Sequence, residues 1–196
     1  AFATPSRLPK PSIWAIPAFV TTPTCGRASS ASMAISPAWV DPAALVDAAV
    51  TAASGRYEAA AVELSCDRAP NLPSVWADRQ RLAQVLDNLL DNALRHTAPG
   101  GTVCLRAQAV ADTLTLTVAD SGEGIGAEHL PRIFERFYRV DQARDRRHGG
   151  AGIGLAVAKA LTEAHGGRIA ASSPGPGRGT TITVALPLAR RGSLSQ

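Results

Sequence analysis

The segment from Asp78 to His96 carries the strongest periodic signal in this chain of 196 residues. Asp78 is of a residue type that caps helix N-termini, and apolar side chains recur after it at the spacing of one helix face. These side chains belong to Leu82, Val85, Leu86, Leu89 and Ala93. Because such a stripe must be covered, the pattern predicts a long helix that packs against a sheet.

Strand signals follow the long helix. A β-hairpin is expected from Thr102–Val110 and residues 113–119, because the second segment alternates apolar and polar side chains. Further strands are expected at residues 61–66, Arg168–Ser172 and residues 180–186. Helices and hairpin strands therefore mix along the chain, which predicts an α+β fold with a layer of helices against a mixed sheet.

Three further helices are expected. Asp41 and Pro42 have the residue types of an N-cap and a first helical position, and Gly55 is interpreted as the stop of that helix. The predicted ranges are residues 43–54, a short helix at residues 130–137, and a helix at residues 153–165 that Gly166 and Gly167 terminate.

The two ends of the chain differ from its middle. Residues 1–37 hold six prolines and no acidic residue, and no periodic pattern persists there. We expect an extended or disordered tail, for which a functional arm and a cloned or frame-shifted leader are both open interpretations. Residues 38–190 are predicted to form one domain, and residues 191–196 a C-terminal tail.

Composition excludes several classes of protein. The net charge is +4, yet neither Lys10 nor Lys159 lies in the Gly-Lys-Ser/Thr pattern of a phosphate-binding P-loop. Aromatic residues make up only 5% of the chain, which argues against a nucleic-acid partner, and no apolar run is long enough for insertion into a membrane. The three cysteines form no CxxC pair, so we expect a reducing compartment, the cytoplasm.

Polar side chains form a second stripe on the long helix. Gln84, Asn88, Asn92 and Arg95 follow one another at three- or four-residue spacing. An amide oxygen suits Mg²⁺ and a guanidinium suits phosphate, so the stripe fits a magnesium–polyphosphate group. The alternative is that these residues are ordinary solvated positions on an outer helix face.

A glycine-rich loop follows the second hairpin strand. Asp120 at the end of that strand can accept a hydrogen bond from an exocyclic amine such as that of adenine. Gly122, Gly124 and Gly126 allow the backbone to approach a flat ring. An ordinary turn is the alternative, and the spacing differs from the GxGxxG of dinucleotide-binding folds.

An arginine-rich segment and a second glycine cluster come next. Phe134 and Phe137 are expected to pin the short helix to the core, and six arginines lie between positions 132 and 147. Phosphate could order this strip, although a nucleic-acid patch or a solvated loop is also possible. The cluster from Gly149 to Gly154 opens a helix, where unpaired N–H groups favour phosphate; a flexible hinge is the alternative.

Taken in order, four of these segments resemble the N, G1, F and G2 boxes of the ATP-binding catalytic domain of sensor histidine kinases. They read NLLDNALRH, DSGEGIG, FERFYR and GGAGIGLAVAKALTEAHGG. That family shares a superfamily with gyrase, the heat-shock chaperone and the mismatch-repair ATPases, and the resemblance covers roughly residues 41–188. It implies a two-layer α/β sandwich of the Bergerat type, ATP with Mg²⁺ as cofactors, and a flexible ATP lid at about residues 138–149.

The resemblance also assigns residues. Asn92 matches the metal-binding Asn, Asp120 the adenine-binding Asp, and Arg95 a basic phosphate contact, while His96 replaces the Tyr usual beside the nucleotide. Asn88, Asn92 and Arg95 are the implied catalytic residues. The implied nucleotide-binding set comprises Asn88, Asn92, Arg95, His96, Asp120, Gly122, Gly124, Ile125, Gly126, Phe137, Arg139, Gly150, Gly152, Ile153, Gly154, Leu155 and Thr180.

One position favours a branch of the superfamily. Hydrolysing members and serine kinases carry a Glu general base where this chain has Asn88, and an amide cannot accept a proton at neutral pH. None of the four histidines matches the phosphoacceptor pattern, and we expect no room for a helical dimerisation domain before Asp41. The resemblance therefore implies a catalytic module that phosphorylates a histidine on a partner domain in trans, with a response regulator downstream. An ATPase, a serine kinase, a binding-only pseudokinase and a DNA-binding module are the alternatives.

Overall fold

A computed structural model describes residues 36–140 and 152–188, and these form a sheet covered by helices on one face. The strands are β1 (Ala38–Val40), β2 (Glu63–Arg68), β3 (Val75–Ala77), β4 (Thr102–Val110), β5 (Thr113–Asp120), β6 (Arg168–Ser172) and β7 (Thr180–Pro187). The helices are α1 (Pro42–Ala59), α2 (Arg79–His96) and α3 (Gly154–Ala164). The predicted α+β class is confirmed.

Five strands form the main sheet in the order β2-β4-β5-β7-β6. β2 runs parallel to β4 and the other neighbours are antiparallel, so the sheet is mixed as predicted. Every second side chain is buried on β5, on β7 and on β4 from Val103 to Ala107, and these apolar side chains meet the helices. The alternation leaves threonines such as Thr115 and Thr183 on the opposite, partly exposed face.

The apolar stripe of α2 supplies the centre of the core. Leu82, Val85, Leu86 and Leu89 are fully buried, as the spacing predicts. Burial of each such side chain contributes about 1.5–3 kcal/mol relative to exposure. Asp78 caps the helix by accepting a hydrogen bond from the N–H of Arg81 at 3.1 Å, so both predicted ends of α2 are confirmed.

The predicted end of α1 is wrong. The helix continues through Gly55 to Ala59, because the residues after the glycine bind α2. Arg56 forms ion pairs with Asp87 and Asp91, and the buried Tyr57 hydroxyl donates to the Leu90 carbonyl at 2.8 Å. These contacts offset the roughly 1 kcal/mol that a glycine costs inside a helix.

The short helix predicted at residues 130–137 is also wrong. Successive turns occupy this stretch, with N–H groups donating three residues back, as from Arg132 to His129 and from Glu135 to Arg132. Phe134 packs against the core, but Phe137 is 66% exposed and does not pin the segment. A positive φ of 66° at Phe137 is incompatible with a continuing helix.

Smaller differences concern the short strands. The strand predicted at residues 61–66 begins at Glu63, because Ala61 has a positive φ of 54° in the turn after α1. β1 and β3, which pair with each other, were not predicted, since three residues are too few to show a period. Among the described residues, no helix is both long and apolar enough to cross a lipid bilayer.

Candidate nucleotide-binding site

Asp120 lies at the end of the central strand β5, and its carboxylate is fixed by two backbone groups. The N–H of Gly122 donates to Oδ1 at 2.9 Å, and the N–H of Thr180 on the neighbouring strand β7 donates to the same oxygen at 3.1 Å. Burial raises the pKa of Asp120 above its ordinary value, against the opposing effect of these hydrogen bonds. The described hydrogen bonds of this carboxylate use Oδ1 alone, which leaves Oδ2 to accept from a ligand.

The loop after Asp120 is joined to the C-terminal end of α2. A Cβ on Gly122 would overlap the carbonyl oxygen of His96, so only glycine fits there without a shift of the backbone. The same carbonyl accepts from the N–H of Glu123 at 3.0 Å, and the His96 ring lies 3.3 Å from the Glu123 carboxylate. The structure therefore brings two of the predicted motifs together, with His96 at their junction.

A third segment, which sequence reasoning missed, supports this loop from the other side. The N–H of Ile125 donates to the Ser173 hydroxyl at 3.0 Å, and the N–H of Gly179 donates to the Gly122 carbonyl at 3.0 Å. Gly179 has a φ of +73°, and a Cβ there would overlap the carbonyl oxygen of Asp120. A sequence signal existed, because glycines at positions 175, 177 and 179 repeat the spacing of those at 122, 124 and 126.

The other predicted residues of this loop also lie at the contact between the two glycine segments. Gly124 has a φ of +65°, and a Cβ on it would overlap the carbonyl oxygen of Gly175. At Gly126 the atoms nearest to an added Cβ belong to the flexible carboxylate of Glu128. The loop is thus rigid near Asp120 and less constrained towards Gly126.

The predicted amide face of α2 is partly buried at Asn88 and Asn92, while Arg95 is exposed. The amide nitrogen of Asn88 is buried and has no hydrogen-bond partner among the described residues. A buried donor without a partner costs about 1–3 kcal/mol, and such groups are often satisfied by a ligand. Gln84 is exposed and its amide oxygen lies 3.4 Å from the Arg81 guanidinium.

Asn88 faces the start of α3. Its Oδ1 lies 3.6 Å from the position that a Cβ on Gly154 would take. Ile153 is the N-cap residue of α3 and provides no side-chain cap, so among the described residues no N-cap side chain binds the first N–H groups of this helix. Such an N-terminus attracts anions, while the following Leu155 packs partly against the core.

The segments on either side of residues 141–151 are connected. The N–H of Phe137 donates to the carbonyl of Gly152 at 2.9 Å, so the predicted F and G2 motifs meet here. Gly152 has a φ of +64°, and Arg139 is partly buried in the same region. The predicted contact residue Gly150, and the predicted lid beyond position 140, lie outside the described residues.

Helix α2 connects two chemically different ends of the candidate site, through His96 to the loop after Asp120 and through Asn88 to the start of α3. A carboxylate oxygen of Asp120 can accept from an amine at one end, beside a wall of glycines. At the other end, the orphaned Asn88 amide and the uncapped start of α3 offer N–H donors to an anion. No cluster of three His, Cys, Asp or Glu side chains suited to a metal occurs in the described part of the chain. The arrangement suits a purine nucleotide with a phosphate chain.

Comparison with known proteins identifies the family of this chain. The sequence profile of the family described as histidine kinase-, DNA gyrase B- and HSP90-like ATPases matches residues 77–190. The match covers more than half of the chain and includes α2, both glycine segments and α3. The chain belongs to this ATPase family.

The similar curated proteins are sensor kinases. The signal transduction histidine-protein kinase BaeS of Escherichia coli K12 is 46% identical over 62% of this chain and 26% of its own length. The sensor histidine kinase WalK of Bacillus subtilis is 45% identical over 60% of this chain and 20% of its own length. The chain thus spans about a quarter or less of these two relatives.

Solved structures of histidine kinases share the fold. Full-length ShkA in complex with AMPPNP has a TM-score of 0.72 and 32% identity, covering 82% of this chain and 33% of that chain. The mycobacterial sensor histidine kinase MprB has a TM-score of 0.66 and 28% identity, covering 79% of this chain and 98% of that chain. The predictions of a histidine kinase catalytic domain that binds ATP and of its two-layer fold are confirmed.

Proposed function

We propose that this domain binds Mg·ATP and transfers the γ-phosphoryl group to a histidine on a separate phosphoacceptor and dimerisation domain, supplied in trans. The observation that carries the proposal is the arrangement of Asp120. Both backbone N–H groups bind its Oδ1, so Oδ2 can accept the exocyclic amine of adenine. The glycine segments around it pack closely against each other and against the end of α2, which fixes the loop that follows this carboxylate.

The residues at the phosphate end fit magnesium and a triphosphate. Mg²⁺ keeps most of its waters and takes few protein ligands, so the amide oxygen of Asn92 would hold it together with phosphate oxygens. When bound, the ion neutralises charge on the phosphates. The buried Asn88 amide nitrogen and the uncapped N–H groups at the start of α3 would donate to phosphate oxygens, and Arg95 would add a positive charge.

The chemistry needs no base from this domain. A lone pair on an imidazole nitrogen attacks the γ-phosphorus, the bond to the bridging oxygen breaks, and ADP leaves. Asn88 stands where hydrolysing relatives are expected to carry a carboxylate, and an amide cannot activate water. The site therefore favours transfer to an imidazole over hydrolysis or transfer to a serine hydroxyl.

The described histidines are engaged in structural contacts. His165 accepts from the N–H of Asp78 at Nε2, 3.0 Å away, and its Nδ1 lies 2.7 Å from the Leu161 carbonyl. His129 lies 2.7 Å from the Tyr138 hydroxyl, and His96 pairs with Glu123. These contacts support an acceptor histidine on another domain.

Phosphotransfer can be tested directly. The chain is incubated with Mg·ATP labelled at the γ-phosphate, alone and with isolated phosphoacceptor domains of the BaeS and WalK type. We expect acid-labile, base-stable label on an acceptor domain and none on the chain. Strong labelling of the chain itself, or steady release of phosphate without an acceptor, would contradict the proposal.

The cellular context follows from the same chemistry. Because ATP is the phosphoryl donor, we propose that this domain works in the cytoplasm. The phosphohistidine would then pass its phosphoryl group to a response regulator in two-component signalling. Transfer from the labelled acceptor to an aspartate of a regulator domain, followed by loss of label from the acceptor, is the measurement for this step.

A further inference from the structure

The surface of α2 next to its amide face carries two acidic residues. Asp87 and Asp91 each precede one of the amides, Asn88 and Asn92, so the two pairs form adjacent stripes about 100° apart on the helix. Like charges four residues apart on a helix repel each other. Without a counter-charge, this pair would also repel a triphosphate bound at the amide face.

Arg56 from the last turn of α1 binds both carboxylates. Its Nη2 lies 2.7 Å from Asp87 Oδ1, and its Nη1 binds Asp91 Oδ1. The hydrogen bond to Asp87 raises the pKa of Arg56 above its usual value, so the guanidinium stays charged. One cation thus binds two carboxylates that border the proposed magnesium and phosphate residues.

The neighbouring Tyr57 strengthens the contact between α1 and α2 from the buried side of the two helices. Its ring is fully buried, and its hydroxyl donates to the carbonyl of Leu90, which lies between Asn88 and Asn92 on α2. The last turn of α1 therefore holds α2 at the level of the amide face. This contact exists only because α1 continues past Gly55.

We propose that Arg56 is a positioning residue for the triphosphate: by binding Asp87 and Asp91 it offsets one of their two negative charges and lets the amide face accept an anion. The inference rests on the proposed nucleotide site and deepens it. It concerns the phosphate end alone, because Asp120 and its glycine segments have no described contact with Arg56. Arg56 acts through the two aspartates and needs no contact with the ligand.

Calorimetric titration of Arg56→Met with Mg·ATP and with adenosine tests this role. Methionine keeps the aliphatic stem but removes the charge. We expect roughly three- to tenfold weaker Mg·ATP binding and unchanged adenosine binding. The effect is moderate because the two carboxylates are exposed and solvent partly screens their repulsion of the triphosphate. The loss should shrink at high salt. Equal losses for both ligands, or no loss for either, would overturn the role.

A rescue variant separates charge from helix packing. Adding Asp87→Asn and Asp91→Asn to Arg56→Met removes the repulsion but does not restore the contact between helices. Recovery of Mg·ATP affinity to near the wild-type value supports the proposal, and a persistent loss contradicts it. If Arg56→Met fails to fold, the double variant Asp87→Asn, Asp91→Asn with Arg56 intact takes its place. Its affinity for Mg·ATP is expected to rise about two- to threefold, because the negative charge beside the amide face is removed. No rise would contradict the proposal.

The proposed function and this inference fail in distinguishable ways. If the wild-type chain binds neither adenosine nor Mg·ATP, the proposed nucleotide site is wrong. If the wild-type chain binds both ligands, and Arg56→Met binds each of them as tightly as the wild-type chain does, the nucleotide site stands and the role of Arg56 is wrong.

Discussion

The two ends of the proposed nucleotide site, an adenine end at Asp120 and a phosphate end at Asn88, differ in how far the protein completes them without a ligand. At the adenine end, Asp120 is bound by two backbone N–H groups, and the glycine segments are hydrogen-bonded to each other. At the phosphate end, the Asn88 amide nitrogen is buried without a partner among the described residues, and α3 starts without a side-chain cap. One end is preorganised, whereas the other leaves donors for the ligand to satisfy.

This difference assigns binding of the base to one end of the proposed site and binding of the triphosphate to the other. A preorganised end loses little conformational entropy on binding, so it can supply most of the affinity for the base. Donors that stay unsatisfied until phosphate binds contribute binding free energy only for ligands that carry phosphate groups. Substitutions at the adenine end should therefore weaken every adenine ligand, and those at the phosphate end only phosphorylated ones.

Asp120→Asn should have the largest effect. The two backbone N–H groups would hold the amide oxygen at the Oδ1 position, so the amide nitrogen would face the adenine amine as a second donor. We expect binding of both adenosine and Mg·ATP to weaken roughly 100-fold or more, since a charged hydrogen bond is lost and a donor is left unpaired. Calorimetry measures both affinities; a loss confined to Mg·ATP would contradict the assignment of Asp120 to the base.

Gly122→Ala tests the rigidity of the adenine end. Its Cβ would overlap the His96 carbonyl oxygen, so we expect the free energy of unfolding to fall by about 1–3 kcal/mol, with loss of adenosine binding. Gly154→Ala is the matched control, because the nearest atom to its Cβ lies at an ordinary 3.6 Å. Denaturant unfolding of both should show a clear loss only for Gly122→Ala. Similar losses would mean that the two ends are equally constrained.

Asn92→Ala should act on the phosphate end alone. Removing an amide ligand of Mg²⁺ should weaken Mg·ATP about tenfold, by analogy with the size of a charge-assisted contact, and leave adenosine unchanged. Titrations with and without Mg²⁺ check this. If adenosine and Mg·ATP were weakened equally, Asn92 would have a structural role and no metal role.

The smallest effect concerns pH. Because the folded-state pKa of Asp120 is raised, its protonation on acidification begins above the ordinary value of 3.8. Between the unfolded and folded pKa values, the native state binds more protons at Asp120 than the unfolded state does, so this group favours folding as the pH falls through that range. A neutral carboxyl, however, accepts a hydrogen bond from the adenine amine poorly. Adenosine affinity should thus decrease in mild acid before the free energy of unfolding does. If adenosine affinity and the free energy of unfolding fell over the same pH range, this role of Asp120 would be contradicted.

Much of the adenine end could be predicted from sequence, because its residues lie close together in the chain. Asp120 and the following glycines are adjacent, and β5 shows a clean alternation. Gly179 could not be placed there from spacing alone, because it is close to Asp120 only through the pairing of β5 with β7. Gly55 misled the prediction of α1, because the contacts that continue the helix come from α2, more than thirty positions away.

The turn region around Phe137 shows another limit of sequence patterns. Aromatic residues three apart favour a helix, but the backbone amide of Phe137 binds Gly152 across residues 141–151. A contact of this kind is not encoded in local periodicity. The predicted roles of all site residues towards a nucleotide stay predictions, those of Arg139, Gly150 and Thr180 included, as does the division of the chain at residues 37 and 190.

The pairing of Asp120 with Thr180 has a consequence for biosynthesis. The two residues are sixty positions apart, so the carboxylate receives its second N–H donor only after β7 has joined the sheet. A nascent chain that has emerged from the ribosome only as far as α3 holds every amide of the phosphate end but lacks the β7 N–H group that holds the Asp120 carboxylate. Capture of adenine would therefore mark the completion of folding, and a stalled or truncated chain would not sequester the nucleotide.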